Sequence, residues 1–471
     1  MLLSELAGIP GDSKVTGFAL DHRKVAPGNL FGAFRGARFN GEDFIDEAVK
    51  RGAVAVVARP EARVEGVAHL SADEPRRLFA RLAASFYAPY PATVAAVTGT
   101  NGKTSTVELT RQLWRMAGHR SASIGTLGVT TADDQVSTGL TTPDIVTFLS
   151  NMAGLRRMGI SHVAYEASSH GLDQFRAEGV PVQAAAFTNL SRDHLDYHPT
   201  MEAYFAAKMR LFDEVVSADG AAVVWTGDPK SAEVMEHARK RGLKLLTVGP
   251  NAETINLVER RSTPLGQQLL LKHEGKEYRL SLPLIGAYQM NNVLTAAGIV
   301  LATGGDWQRT LSGMARVSPV RGRLERAVIS RSGAPVYVDY AHTPDAIEAA
   351  IAALRPHVDG KLITVVGAGG DRDEGKRPEM GSVAARLSDV VIVTDDNPRT
   401  EDPSLIRRAV LSGAPDAIEI GDRRSAIAEA IAMASAGDIV LVAGKGHEQG
   451  QIVGDQVLPF DDVSVARECA A

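Results

Sequence analysis

A glycine-rich segment near residue 100 has the residue types that bind phosphate. Residues 97–105 read VTGTNGKTS, and the GKT triplet is placed as in the phosphate-loop signature G-x-x-x-x-G-K-[ST]. Backbone N–H groups at a helix N-terminus attract phosphate oxygens, the lysine adds a point charge, and the threonine hydroxyl suits Mg²⁺. The position of the first signature glycine holds Val97, and a glycine follows two residues later at Gly99. We therefore predict a shortened phosphate loop, with the N–H groups of residues 100–104 facing the phosphates. The loop residues expected to contact nucleotide are Gly99, Thr100, Asn101, Gly102, Lys103, Thr104 and Ser105.

Two further reactive side chains stand at or after predicted strands. Glu166 ends the apolar run 162–166, and His194 follows the apolar run 183–188. Sites in α/β proteins assemble at the carboxyl ends of strands, so both side chains are expected near the phosphate loop. The pattern alone also allows Glu166 to be a solvated carboxylate and His194 to lie in an ordinary polar loop. Lys208, on a predicted helix, is by composition a solvated lysine.

The bulk properties narrow the class of protein. The chain has 471 residues, a net charge of −5 and a pI near 6.2. It is too long for one core and lacks the basic excess of a general nucleic-acid binder. Its one cysteine, Cys469, allows no intramolecular disulfide and no cysteine metal cluster. No secretory signal or membrane-spanning run is visible, so we expect a cytoplasmic enzyme without membrane insertion. We also expect a monomer, although nothing in the sequence determines the oligomeric state.

The pattern of strands and helices predicts an α/β protein of three domains. Residues 1–90 are predicted to form an N-terminal α/β substrate domain that ends in a proline-rich linker at 88–93. Residues 91–325 alternate apolar runs and helical patterns, which predicts a central parallel-sheet domain of the P-loop ATPase type, with an antiparallel hairpin turning at 274–275. Residues 326–471 predict a C-terminal doubly wound, Rossmann-like domain.

Several motifs resemble those of the Mur ligase superfamily, which includes the folylpolyglutamate synthetases. Besides the loop, the matching segments are YEASSHGLDQFR at 165–176, FTNLSRDHLDYH at 187–198, GAYQMNN at 286–292, VRGRLE at 320–325 and DYAHTPD at 339–345. Three more segments, GDRDEGKRPEM, TDDNPRTEDP and GKGHE, resemble the branch that adds meso-2,6-diaminopimelate to UDP-N-acetylmuramoyl-L-alanyl-D-glutamate in peptidoglycan synthesis. The ordered set spans nearly the whole chain and is more specific than any single motif.

The resemblance implies amide formation driven by ATP. ATP phosphorylates the γ-carboxylate of the D-glutamyl residue, an amine attacks the acyl phosphate, and phosphate leaves. Such a reaction needs neutralisation of charge where two anions meet, and no Ser or Cys nucleophile. Lys208 is implied to react with CO₂ and form N6-carboxylysine, an anion able to steady Mg²⁺. The residues implied to be catalytic are Lys103, Glu166, His194 and Lys208; those implied to hold Mg²⁺ are Thr104, Glu166 and His194; those implied to extend the ATP site are Asn292, Arg323 and Asp339.

The resemblance also implies a site for the muramyl dipeptide substrate across the first two domains. The implied residues are Leu20, His22, Thr141, Thr142, Ser168, Gln174 and Arg176. His22 stands where the family pattern usually has serine, and an imidazole can also donate or accept a hydrogen bond. Gln174 and Arg176 would share a face on a strand and diverge on a helix, and the sequence leaves that choice open.

A third implied site would hold diaminopimelate. The residues implied are Arg372, Asp396, Asn397, Pro398, Arg399, Gly444 and Glu448. Pro398 restricts its own φ and the residue before it, so we expect the turn to present Arg399 rigidly. A guanidinium can hold the far carboxylate of diaminopimelate through two parallel hydrogen bonds, which lysine lacks.

Three alternatives remain at this stage. A folylpolyglutamate synthetase shares the phosphate loop, but its resemblance to the chain begins only at that loop. A lysine-adding ligase would lack a use for Arg399. A nucleotide-binding module without catalysis would be expected to lose one of the four implied catalytic residues, and all four are present.

Overall fold

The computed structural model describes residues 1–9, 12–36, 39–136, 139–263 and 266–471. These residues form three large sheets of four, eleven and six strands, and a separate two-stranded hairpin near the C-terminus. Each large sheet contains parallel strands joined through helices, so the predicted α/β class with three domains is confirmed. Within these described ranges, no helix has the length and apolar character needed to cross a membrane.

The first sheet is entirely parallel and has the strand order 1-2-3-4. Its third strand is the apolar AVVA run, which is buried along its whole length because both faces of the sheet are covered. The elements of this domain are α1 (Leu3–Ala7), β1 (Gly17–Ala19), β2 (Asn29–Gly32), α2 (Ile45–Lys50), β3 (Ala55–Ala58), β4 (Ala68–Ser71) and α3 (Pro75–Tyr87).

The central sheet carries the phosphate loop at its middle strand. Its elements are β5 (Thr93–Thr98), α4 (Lys103–Met116), β6 (Ser121–Gly125), β7 (Gly128–Thr130), β8 (Gln135–Val136), α5 (Ile145–Arg157), β9 (His162–Glu166), α6 (Ser169–Asp173), β10 (Val182–Phe187), α7 (Met201–Arg210), β11 (Val216–Trp225), α8 (Ser231–Lys240), β12 (Lys244–Gly249), β13 (Ile255–Thr263), β14 (Gly266–His273), β15 (Lys276–Leu282), α9 (Ala287–Ala302) and α10 (Trp307–Met314). The strand order is 15-14-13-12-11-10-5-9-6-7-8. The predicted hairpin is confirmed, because His273 pairs with Lys276 across the turn at 274–275.

The third sheet is parallel except for its first strand. Its elements are β16 (Glu325–Ile329), β17 (Pro335–Asp339), α11 (Pro344–Leu354), β18 (Leu362–Val366), α12 (Lys376–Leu387), β19 (Val390–Val393), α13 (Pro403–Leu411), β20 (Ile418–Glu419), α14 (Arg423–Met433) and β21 (Ile439–Ala443), followed by the hairpin β22 (Gly450–Val453) and β23 (Gln456–Pro459) and by α15 (Asp462–Ala470). The order is 16-17-21-18-19-20. The ends of β21 and β19 are therefore separated by β18.

The first two domains share one apolar core, whereas the third has its own. Phe79 of α3 and Phe148 of α5 are fully buried in the same cluster, which continues into both sheets. Of the two buried clusters on the faces of the third sheet, one begins at Leu324 and the other at Ala327. The cavities described below lie where this third domain faces the central sheet.

Candidate active site

The two glycines of the short phosphate loop stand where the loop meets other parts of the chain. Gly99 has a φ of 145° and Gly102 a φ of 84°, both in the range that favours glycine. A side chain at Gly99 would collide with the hydroxyl of Thr188, and one at Gly102 with the amide oxygen of Asn292. The loop is thus pressed against the end of β10 and against α9, while Val97 remains inside β5.

Two N–H groups of the loop are occupied by Asn189. The N–H of Thr100 donates to the backbone oxygen of Asn189 at 2.9 Å, and that of Asn101 to its side-chain oxygen at 2.9 Å. The prediction that all N–H groups of residues 100–104 face a phosphate is wrong for these two. The first turn of α4, whose N–H groups have no partner within the helix, stays the predicted anion cradle.

Two lysine ammonium groups share one carbonyl oxygen of the loop. Lys103 Nζ donates to the carbonyl oxygens of Gly99 at 2.9 Å and Thr100 at 2.8 Å. Lys208 Nζ, on α7, donates to the same oxygen of Gly99 at 2.8 Å and lies 4.1 Å from the ring centre of Tyr204. Lys208 is 1% exposed, so the expectation of a solvated helix lysine is wrong. Burial lowers the pKa of both lysines, and the charge of Lys103 lowers the pKa of Lys208 further.

Glu166 ends β9 beside the loop and is almost completely buried. Its carboxylate accepts the N–H of Thr126 at 2.7 Å and the hydroxyl of Thr126 at 3.1 Å. Burial raises the pKa of Glu166, while the nearby Lys103 charge opposes that rise. Gly125 precedes this threonine because a side chain there would collide with the carboxylate. The solvated-carboxylate alternative is therefore wrong.

His194 follows β10 in a left-handed backbone conformation, with a φ of 55°. Its N–H donates to Asp193 Oδ1 at 2.9 Å, and its ring Nε2 lies 3.6 Å from Asp193 Oδ2. Burial lowers the pKa of His194, so the imidazole is neutral near pH 7 and retains a lone pair for a ligand.

A cavity of about 280 Å³, here called the loop cavity, lies between the phosphate loop and the third domain. Asn292 of α9 lines it, is 4% exposed, and has no partner for Nδ2 within the described residues. A buried amide donor without a partner is costly, so this group fits a ligand acceptor. The residues predicted for ATP that line the cavity are Asn101, Gly102, Ser105, Asn292, Arg323 and Asp339.

Arg323, near the end of the central domain, and Asp339, in the third domain, both line the loop cavity at the junction of the two domains. Arg323 Nη2 donates to Thr104 Oγ1 at 2.9 Å. Asp339, at the end of β17, accepts the N–H of Leu324 at 2.6 Å, the N–H of Ala341 at 2.8 Å and the hydroxyl of Tyr288 at 3.1 Å. The cap of α11 is supplied instead by Thr343. Asp339 therefore orders the entry to the third domain and still presents its carboxylate to the loop cavity.

A second cavity, of about 380 Å³, is lined by both the central and the third domain, and we call it the interdomain cavity. The predicted residues that line it are Thr141, Thr142, Ser168, Arg176, His194, Arg372, Asp396, Asn397, Arg399, Gly444 and Glu448. Tyr340 and His342 line both this cavity and the loop cavity. The two cavities thus meet at the turn after β17.

The muramyl-side residues are joined by hydrogen bonds. Thr142 Oγ1 donates to the backbone oxygen of Glu166 at 2.8 Å and lies 2.9 Å from Ser168 Oγ. Gln174 caps the C-terminus of α6, and Arg176 lies in the following turn, so neither the strand nor the helix alternative holds. Arg176 Nη2 nevertheless reaches Gln174 Oε1 at 2.6 Å, because the turn brings the two side chains together.

Arg399 is positioned by more than the proline before it. It has a φ of 52°, its N–H donates to the carbonyl of Ile452 at 3.0 Å, and its own carbonyl accepts the N–H of Gly454 at 2.7 Å. Its guanidinium donates to the carbonyl of Gly370 at 2.7 Å. The hairpin of β22 and β23 therefore holds the backbone of Arg399. The turn at Pro398 only leads the chain into this position.

Asp396 and Glu448 each keep an oxygen for a ligand. Asp396 is 7% exposed, and its Oδ2 is buried without a partner among the described residues. Glu448 Oε2 accepts from Asn397 Nδ2 at 2.7 Å and from Lys445 Nζ at 3.0 Å. Asn397 Oδ1 accepts from Lys445 Nζ at 3.0 Å and from the N–H of Ile452 at 2.9 Å. The amide of Asn397 is thus engaged within the protein, and Asp396 and Glu448 are the acceptors that face the cavity.

Leu20 and His22 line neither cavity. The ring of His22 stacks on Phe44 at 4.3 Å, and its Nε2 lies 3.2 Å from Glu47 Oε2. Residues 19–41 resemble the uridine-binding part of the family's muramyl substrate site, and residues 37 and 38 of this segment lie outside the described residues. The uridine contacts of the first domain stay a prediction.

Sequence reasoning missed several residues that hold the site together. Lys445 stands inside the quoted GKGHE motif, and Asn189 inside FTNLS. Motif resemblance therefore marked both segments, but it did not indicate the roles of these two residues. Thr126 follows an apolar strand directly after Gly125, which is a strand-end signal of the kind used for Glu166. His170 likewise stands inside the quoted segment YEASSHGLDQFR but was given no role; burial lowers its pKa to about 4, and it lines the interdomain cavity.

A phosphate loop at the centre of a parallel sheet, open to a polar cavity shared with a Rossmann-like domain, defines a nucleotide-dependent α/β enzyme. Family models match three stretches of the chain: Mur ligase family, catalytic domain, at 14–87; Mur ligase middle domain at 97–300; and Mur ligase, glutamate ligase domain, at 322–446. The chain belongs to the Mur ligase family.

Relatives match over nearly the full length. The UDP-N-acetylmuramoyl-L-alanyl-D-glutamate–2,6-diaminopimelate ligase of Zymomonas mobilis is 61% identical over 461 residues, 97% of this chain and 95% of that protein. The ligase of the same name from Bradyrhizobium diazoefficiens is 50% identical, over 95% of this chain and 93% of that protein. A solved structure of a ligase with this name has a TM-score of 0.72 at 32% identity, covering 100% of this chain and 98% of that one. A folylpolyglutamate synthase of Mycobacterium tuberculosis, with a TM-score of 0.63 at 21% identity over 79% of this chain and 92% of that one, shares the fold.

Proposed function

We propose that the chain is an ATP-dependent ligase that adds meso-2,6-diaminopimelate to UDP-N-acetylmuramoyl-L-alanyl-D-glutamate. The observation that carries the proposal is the interdomain cavity, which joins Thr142, Ser168 and Arg176 of the central domain to Asp396, Arg399 and Glu448 of the third. Relatives with this activity in their names are 61% and 50% identical. The loop cavity, which opens beside it, accounts for the nucleotide.

In the first step, the γ-carboxylate of the D-glutamyl residue attacks the terminal phosphate of ATP and forms an acyl phosphate with release of ADP. Two anions must approach each other, so positive groups are needed at their meeting point. Lys103 exchanges its two carbonyl partners for phosphate oxygens, and Arg323, which already contacts Thr104, adds a second charge. The N-terminus of α4 adds its partial positive charge.

In the second step, the neutral amine of diaminopimelate attacks the acyl carbon, the amide bond forms, phosphate leaves with the bonding electrons, and the departing phosphate takes the proton that the amine loses. The zwitterionic far end of the amino acid needs an acceptor for its ammonium and a cation for its carboxylate. Asp396 Oδ2 and the free oxygen of Glu448 accept the ammonium, and Arg399 holds the far carboxylate. Arg372 binds the other carboxylate, and Asn397 keeps Glu448 in place.

The residues at the loop fit Mg²⁺. Thr104 and Glu166 offer the oxygen ligands that this ion prefers, and His194 offers a neutral imidazole. Among the described residues there is no cluster of three His, Cys, Asp or Glu side chains that could hold a metal by itself. When bound, Mg²⁺ neutralises charge on the phosphates during transfer. Thr104, Glu166 and His194 would hold it.

Lys208 is included in the proposal as N6-carboxylysine. Its amine is buried between the loop and the Tyr204 ring, and its lowered pKa favours the neutral form that attacks CO₂. The product is an anion beside Lys103, so the modification replaces like-charge repulsion with attraction.

The other readings account for less of the molecule. A folylpolyglutamate synthetase shares the loop, but gives no role to the first sheet or to the Arg399 turn. A binding module without catalysis gives no reason for a buried lysine at position 208 or a buried carboxylate at 166. The direct test is phosphate release from ATP, which should require both the muramyl dipeptide substrate and meso-diaminopimelate. Release that needs neither substrate would contradict the proposal.

The domain boundaries, the location and the assembly state belong to the same proposal. We place the domain boundaries after residue 90 and after residue 325. The second boundary lies within one residue of the start of β16. The cytoplasmic location and the monomeric state stay predictions, and light scattering of the purified protein tests the second.

Arg399→Ala should abolish the preference for meso-diaminopimelate over L-lysine. In the wild type, lysine leaves a charged donor without its carboxylate, which costs about 1–3 kcal/mol and predicts at least a tenfold to a few hundredfold preference in kcat/KM. The measurement is kcat/KM for both amino acids in both proteins. Alanine keeps the same backbone requirement at this left-handed position, so the comparison isolates the guanidinium.

The matched control is Arg408→Ala, an exposed arginine on α13 that lines neither cavity. It should leave the preference unchanged. Equal use of both amino acids by the wild type, or an unchanged preference in Arg399→Ala, would refute the assigned role.

Lys445→Met should weaken the amino-acid site and lower stability. The ammonium is fully buried and bonds both Asn397 and Glu448, so its loss leaves one buried acceptor, Asn397 Oδ1, and one partly exposed acceptor, Glu448 Oε2, short of a partner, at about 1–3 kcal/mol. We expect the KM for diaminopimelate to rise by about tenfold, in proportion to a loss of this size, with the KM for ATP unchanged. Lys230→Met removes a pair of the same i,i+3 spacing, Lys230–Glu233, that is about half exposed, and should cost at most about 0.5 kcal/mol. Equal effects of the two variants would show that Lys445 has no special role.

A further inference from the structure

A fully buried ion pair joins the first residues of the two last long helices. Arg423 begins α14 and Asp462 begins α15, and both side chains are 0% exposed. Arg423 Nε lies 2.8 Å from Asp462 Oδ1, and Nη2 lies 2.7 Å from Oδ2. Burying such a pair is costly unless the remaining donors of the guanidinium also find partners.

Those remaining donors reach two strand ends. Arg423 Nη2 donates to the carbonyl of Ala443 at 3.0 Å, and Nη1 to the carbonyl of Asp395 at 3.4 Å. Ala443 ends β21, and Asp395 follows β19 by two residues. These two strands are not neighbours, since β18 lies between them. No ladder hydrogen bond links their ends directly, and the guanidinium spans the gap.

The residues that follow these two carbonyls are Asp396 and Gly444, both of which line the interdomain cavity. Asp396 packs against Gly367, the residue after β18. A side-chain carbon added at Gly367 would lie 3.2 Å from Asp396 Cβ. At Gly444 an added carbon would lie 2.6 Å from Asp396 Oδ2. The Asp396 carboxylate therefore rests against the second strand end, and its position depends on the spacing between the two.

We propose that Arg423, held by Asp462, is a positioning residue for the amino-acid substrate. It sets the distance between the ends of β19 and β21, and thereby the place of the Asp396 oxygen that accepts the substrate ammonium. Arg423 lines neither cavity, so it acts through Asp396 and the Gly444 backbone and does not touch substrate. The inference rests on the proposed function of this site.

Arginine suits this task better than lysine. Its planar fork can bond one carboxylate through two nitrogens and still reach two carbonyls in fixed directions. A lysine ammonium has one nitrogen and can satisfy the carboxylate or the carbonyls, but not all four contacts in the same geometry. Arg423→Lys therefore keeps the positive charge but cannot bond the carbonyls of both strand ends together with the Asp462 carboxylate.

The molecule contains a matched control for this pair. Arg424 and Glu468 join the same two helices at 2.7 Å, but their side chains are 53% and 58% exposed and neither lines a cavity. Arg424→Met breaks a link between α14 and α15 without touching a strand end. Any effect of Arg423 that comes only from helix docking should appear in this variant too.

The experiment measures KM for meso-diaminopimelate, ATP and the muramyl dipeptide substrate, with kcat, in wild type, Arg423→Lys, Asp462→Asn and Arg424→Met. We expect the diaminopimelate KM of Arg423→Lys and Asp462→Asn to rise by about tenfold to a hundredfold, the scale of an ångström-sized misplacement. The other two KM values should stay within about twofold of wild type, a spread near 0.4 kcal/mol. Arg424→Met should match wild type throughout.

A second readout separates positioning from stability. ADP formation in a single turnover without any amine needs the loop cavity and the muramyl substrate only, so both Arg423→Lys and Asp462→Asn should retain it. Equal changes in all three KM values, or loss of the amine-independent step, would overturn the inference. An unchanged diaminopimelate KM in Arg423→Lys and Asp462→Asn would also overturn it, provided that the wild type uses this amino acid. A wild type that does not use diaminopimelate would instead refute the proposed function.

Discussion

Lys103→Ala should abolish ligation while the protein stays folded. The lysine is the one ammonium on the loop placed to exchange carbonyl partners for phosphate, and its charge acts where phosphoryl transfer concentrates negative charge. Removing one preorganised donor of this kind costs about 10²–10³ in kcat, and a full charge should cost at least as much. Activity at saturating ATP is the measurement.

The fold should tolerate this substitution because burial disfavours the charged lysine. The lowered pKa of Lys103 means that its charged form is destabilised in the folded state relative to the unfolded chain. Alanine removes that cost along with two hydrogen bonds, so the melting temperature should change little. Lys240→Ala, at a lysine that is 73% exposed and pairs with Glu236, is the control and should retain full activity. Near-normal turnover of Lys103→Ala would exclude the role.

Lys208→Ala should be almost inactive and partly restored by a short carboxylic acid such as acetate. If Lys208 works as a carbamate, the variant lacks an anion and leaves a buried space where a small carboxylate can bind. The site favours the modification because the amine is enclosed, loses its charge readily, and lies near Lys103. The measurement is turnover as a function of acetate concentration, at constant ionic strength.

Lys208→Arg provides the matched control. Arginine keeps a positive charge, cannot form the carbamate, and leaves no space for acetate, so it should be inactive without rescue. Full wild-type activity in CO₂-depleted buffer, together with an unmodified amine in electron density, would contradict the carbamate. Equal rescue of both variants would show that acetate acts elsewhere.

The local features of the molecule were open to prediction from sequence. The strand of residues 162–166, the turn at 274–275 and the helix after the GKT triplet follow from apolar periodicity and from glycine at turns, which act between residues close in the chain. The α/β class follows from the same alternation, because parallel strands need a crossover helix. The candidate residues of the catalytic site came from motif resemblance, and the structure brings Lys103, Glu166 and Lys208 to one loop.

Contacts between distant residues were decided only by the tertiary structure. Asn189 accepts the N–H group of Asn101 from 88 residues away, and Lys445 bonds Asn397 across 48 residues. The sequence pattern of Lys208 is that of a surface lysine. Its side chain is buried because α7 packs against the phosphate loop. Arg423 stands in a polar segment without any motif used here, yet it spans two strand ends that are separated by a third strand. The physical reason is the same in each case: short-range pattern specifies an element, whereas the burial and hydrogen-bond partners of a polar side chain depend on which elements the sheet order makes neighbours.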